Sequence, residues 1–110
     1  MRLINLTPHS VTIIRDGESL VIESQGIARC SENEEHLETI NIDGINIPIV
    51  KKTYGDITGL LEPSNGTIYI VSLLVAKAAS DIGRSDVVCP ANPVRNEQGQ
   101  IVGCTSLARP

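Results

Sequence analysis

Apolar residues occur in short runs broken by polar pairs and glycines, a pattern of strands and tight turns with one helical exception. Arg2–Leu6 reads as a strand with Leu3 and Ile4 inside, and Thr7-Pro8-His9-Ser10 reads as a turn. Val11–Arg15 and Leu20–Glu23 flank Asp16-Gly17, a hairpin signal, and Gly26–Cys30 reads as a further short strand. Ser31–Glu38 is almost wholly charged or polar and predicts a solvated loop or a short exposed helix. Ile40–Ile42 and Ile45–Val50 flank Asp43-Gly44 as a second hairpin, with Pro48 marking an edge strand or a bulge. Lys51–Gly66 holds three glycines and a proline and reads as the longest irregular stretch, the kind of segment that carries function.

Thr67–Val71 consists of β-branched and aromatic residues and predicts a strand buried on both faces. Ser72–Ser80 has helical composition and is apolar nearly all round apart from Lys77, and Gly83 ends it. Asp86–Cys89 is a strand and Pro90–Pro93 a rigid connection. Pro93–Arg95 and Gln100–Cys104 frame Asn96–Gly99 as a last hairpin. About eight strands and one buried helix predict an α+β fold, a β-rich roll or small barrel of successive hairpins.

Composition narrows the picture. The 110 residues make a single domain, Met1–Pro110, with a core built from Ile, Val, Leu and Ala. Tyr54 and Tyr69 are the sole aromatics, and the formal charge is −4, so neither DNA nor RNA is an expected partner. Met1–Val75 carries five basic and ten acidic residues, Ala76–Pro110 four and three, which points any anion towards the C-terminal third. Cys30, Cys89 and Cys104 lack metal-ligand spacing, so no metal or cofactor is expected, and buried thiols in a reducing cytoplasm are. No apolar run reaches the ~20 residues of a membrane span, and no leader is evident.

Candidate chemistry is sparse. His9-Ser10, and Cys30 with His36, supply nucleophile and base types without a nucleophile elbow or an orienting acid, so no enzyme is predicted. Gly55–Gly59 has the glycines of a phosphate loop but no Walker lysine, and reads equally as a surface loop. Arg84-Ser85-Asp86 with Arg95, and Arg109 behind them, could hold an anionic ligand through guanidinium forks. An Arg84–Asp86 pair could equally pin the corner between helix and strand. Tyr54 could stack on a base, or its ring could be packed; His9 is a further ligand candidate or a turn residue.

Several of these residues recur together in a recognisable way. Leu6-Thr7-Pro8-His9, Tyr54-Gly55-Asp56, Gly66–Ser72, Arg84–Asp86 and the Val94–Cys104 hairpin resemble a family of small phage- and prophage-encoded proteins over nearly the whole chain. The resemblance implies a phage setting and one domain, and carries over no catalytic residue. In that setting the chain is expected to bind a small nucleotide-derived signal as a non-enzymatic homo-oligomer in the host cytoplasm. It would then sequester a cyclic nucleotide or ADP-ribose-type immune messenger. The alternative is a structural or protein-interaction accessory, assembling through its sheet edges without a small-molecule ligand.

Overall fold

Three consecutive elements organise the molecule. Strand β6 (Thr67–Ile70) leads into helix α1 (Leu73–Asp81), which returns the chain to β7 (Val87–Arg95), parallel to β6. The computed structural model describes all residues from Met1 to Pro110. Ser72 caps α1 by accepting from the Val75 amide, and Gly83 closes it with a positive φ of 82°. Val75, Ala76, Ala78 and Ala79 form the buried stripe of the helix, whose small side chains let it lie close on the sheet.

Around this unit the remaining strands form one curled sheet. They are β1 (Arg2–Asn5), β2 (Val11–Arg15), β3 (Glu18–Ile22) and β8 (Ile101–Ala108), in the order β1-β6-β7-β8-β2-β3. β1, β6 and β7 are mutually parallel, while β7–β8 and β2–β3 are antiparallel hairpins. Side chains of the central strands alternate between two apolar layers. Tyr69, Val71, Val87 and Cys89 pack with Ile4, Leu6 and the helix, whereas Ile70 and Val88 pack with Val11, Ile22 and Cys104 inside the curl. The fold is therefore the β-rich α+β half-barrel that the strand and turn pattern predicts.

Asn5 closes the curl. Its side chain is fully buried and donates to the carbonyls of His9 and Ile22 while accepting from the Thr7 amide and hydroxyl. Its backbone carbonyl accepts from the Gln25 amide, and Asn5 bridges to Ser24. The two ends of the six-stranded order thus meet at one satisfied amide.

The second sheet departs from expectation. β4 (Glu32–Ile42) and β5 (Ile45–Tyr54) form an antiparallel hairpin by themselves. The polar segment Ser31–Glu38 is consequently strand from Glu32 onward, neither loop nor helix, and Lys51–Tyr54 is ordered strand rather than irregular chain. Three other expectations are corrected. Gly26–Cys30 contributes only the isolated bridge Arg29–Thr58. β7 runs through Pro90–Pro93, because this half of the strand pairs with β8 alone and its other edge needs no donor. The hairpins are not simply successive, since β1, β6 and β7 pair across long stretches of sequence.

With this arm the molecule measures 53 × 39 × 19 Å and has a radius of gyration of 17.2 Å. A compact chain of this length would have about 13 Å. The excess reflects an elongated shape in which β4–β5 carries almost no buried residue.

Candidate functional site

The arm is amphipathic. Its register pairs Ile42 with Ile45, Ile40 with Ile47 and Glu38 with Ile49, while Asn41 faces Asn46 and Thr39 faces Pro48. Alternation along a strand therefore puts Ile40, Ile42, Ile45, Ile47 and Ile49 on one face. A bulge between His36 and Glu38 adds Leu37 beside Ile49. These six side chains are between 36% and 64% exposed. Asp43 and Gly44, with φ of 52° and 84°, make the tight turn that sets this register.

The opposite face is polar and internally bonded. Asn41 donates to Asn46 at 2.9 Å, and the His36 ring contacts the Thr39 hydroxyl at 2.8 Å. Lys52 lies 2.8 Å from Glu32 and also pairs with Glu34, and these hydrogen bonds raise its pKa. These cross-strand pairs offset the repulsion among the β4 glutamates. The arm's outer edges are guarded too, by Glu32, Glu34, Glu35 and Glu38 on β4 and by Pro48 on β5.

The residues singled out from sequence do not converge. Arg84 donates through Nε to Asp86 Oδ1 at 2.8 Å and through Nη2 to Asp86 Oδ2 at 3.0 Å. Nη2 also donates to the Leu61 carbonyl at 2.9 Å. Both side chains are about four-fifths buried, and this hydrogen bonding holds the Asp86 carboxyl below the usual range and raises Arg84. Ser85 is exposed between them. Arg95 stands at the other end of β7, up to ~30 Å away along the strand, and donates to the Gly99 carbonyl of its own turn. Arg109 is exposed just beyond β8, whose register returns it to the Arg84 end. Tyr54 is half-buried at the root of the arm opposite Glu32, and His9 is exposed in the β1–β2 turn.

The glycines of Gly55–Gly59 have a packing purpose. A side-chain carbon on Gly59 would overlap the Ile27 carbonyl oxygen, whereas one on Gly55 would press on the Ser31 hydroxyl, which can rotate away. They let this segment lie against Gly26–Ser31, where Arg29 and Thr58 exchange backbone hydrogen bonds. Two surface grooves stand elsewhere. One of about 410 Å³ is lined by Val11, Pro90, Pro93, Ile101, Val102 and neighbours; another of about 310 Å³ runs between Thr7, Arg29, Ser72 and Leu74. None of the seven predicted ligand residues lines either groove. Cys89 and Cys104 are buried and Cys30 half-buried, and burial pushes the Cys30 and Cys89 thiols up, away from the reactive thiolate. No three His, Cys, Asp or Glu side chains gather as a metal site, and no helix is long and apolar enough to cross a membrane.

No protein-family model, curated protein or solved structure matches the chain. Sequence reasoning found the hairpin around Asp43-Gly44 but missed its length and its exposure. The signal was present in the strict alternation of isoleucines from Ile40 to Ile49, together with Glu34 and Lys52 placed to pair across the turn.

Proposed function

We propose that this chain is a non-enzymatic protein of phage type that works by docking on other protein subunits, with the curled sheet as anchor and the β4–β5 arm as docking element. One observation carries the reading: five isoleucines and Leu37 stand exposed along a hairpin. Together they present about 500 Å² of aliphatic surface, in the upper part of the range of the largest patch on a monomer, a patch that is often functional. A two-stranded hairpin alone is marginal in water, so an uncovered arm would gain little from being so long and so apolar. The phage setting is carried by the resemblance in the Thr7-Pro8-His9 turn and the Gly66–Ser72 strand. Sequestration of a nucleotide signal draws less support, because Arg84 is already spent on Asp86 and Leu61 and lies far from Arg95.

Site-specific photo-crosslinking in cells tests the docking reading. A photoreactive residue in place of Ile47, on the apolar face, should yield protein–protein adducts. The same residue in place of Asn46, on the polar face, should yield few. Equal yields from both positions, or none from either, would overturn the assignment of the arm as the docking element.

A further inference from the structure

We infer that the isoleucine face of the arm is closed by the same face of a second copy of this chain, the two arms stacked antiparallel about a two-fold axis near the Ile40–Ile47 pair. The inference rests on the docking reading and names its partner. Three observations converge on self-association.

The first is the absence of charge where the surface is most apolar. Ile40, Ile42, Ile45 and Ile47 form a continuous apolar block on this face, flanked by Asp43 in the turn and by Glu38, Glu35 and Lys51 towards the root. Such a face offers nothing to select a charged partner and is complementary to itself, as a two-fold interface requires.

The second is the state of the edges. Pairing arms edge to edge through β4 would set Glu32, Glu34, Glu35 and Glu38 against like charges, and β5 lacks the Pro48 donor. For the arm, then, association through a strand edge is disfavoured and the proposed contact is through its sheet face, at the ordinary ~10 Å spacing of stacked sheets.

The third is area. Two stacked arms would bury about 1,000 Å², the lower bound for a specific interface. Antiparallel stacking lays Ile42 and Ile45 of one arm over the Leu37–Ile49 end of the other. It keeps the two curled sheets at opposite ends of the dimer.

Sedimentation equilibrium on the full chain, from about 1 to about 200 µM, reads the result directly. The expected outcome is a monomer–dimer equilibrium that added salt does not weaken, because the isoleucines that meet across the interface carry no opposite charges for salt to screen. The double variant Ile40→Asp/Ile47→Asp should weaken dimerisation at least ~10-fold, with the melting temperature of the curled sheet kept. Thr39→Asp, on the polar face of the same arm, should leave the dimer intact, which separates loss of the interface from loss of the hairpin. A monomer throughout the range overturns the self-association. So does a dimer indifferent to Ile40→Asp/Ile47→Asp. If the wild-type chain is monomeric while Ile47 still cross-links to another protein in cells, the docking reading stands and the second copy alone is wrong.

Discussion

Asn5 and the Arg84–Asp86 pair show how much single side chains hold here. Replacing Asn5 with Ala would strand the Ile22 carbonyl and the Thr7 amide, while the His9 carbonyl keeps the Thr7 hydroxyl as donor, and should cost about 2–4 kcal/mol in denaturant unfolding. Arg84→Ala should cost about 2 kcal/mol by leaving Asp86 and the Leu61 carbonyl without their partner. Because Asp86 is held below its ordinary pKa in the fold, its contribution is complete above the unfolded value of about 4 and is lost as pH falls through the folded one. The stability gap between wild type and Asp86→Asn should thus be flat from about pH 5 to 8 and shrink below about pH 4, as chemical denaturation across pH would record. The Arg-x-Asp spacing made this pair legible in sequence as one of two readings. Asn5 was not legible, since an asparagine ending a strand looks like a turn signal until its four partners are assembled.

At the scale of elements, turns and helix were readable because their signals are local. Asp16-Gly17, Asp43-Gly44, the Ser72 cap and Gly83 each act over a few residues, and each sits where expected. Pairing was not readable in the same way. The parallel joins of β1 to β6 and β6 to β7 depend on contacts more than ten residues apart, and Glu32–Glu38 becomes strand by pairing with Ile49–Tyr54 across the hairpin, where Lys52 faces Glu34. Close approach has the same character. Gly59, at φ 81° and against the Ile27 carbonyl, is irreplaceable for reasons that no turn rule supplies. Gly59→Ala should destabilise by about 3 kcal/mol or more, visible as a lowered thermal midpoint, whereas Gly66→Ala, open to solvent, should cost less.

For the whole molecule, the two predicted roles separate by where the chemistry sits. A nucleotide site would need Arg84, Arg95, Tyr54 and Arg109 gathered, and the fold sets Arg84 and Arg109 towards one end of β7, Arg95 at the other and Tyr54 at the arm root. The apolar surface, by contrast, is concentrated on one face of one projecting element. Hydrogen–deuterium exchange read at about 1 µM and about 200 µM tests that concentration of function most directly. The account predicts that amides from His36 to Val50 become protected at the higher concentration in the wild type. They should stay unprotected in Ile40→Asp/Ile47→Asp, with β6 unchanged throughout. Arm amides that exchange equally fast at both concentrations, with protection arising instead on the curled sheet, would contradict it.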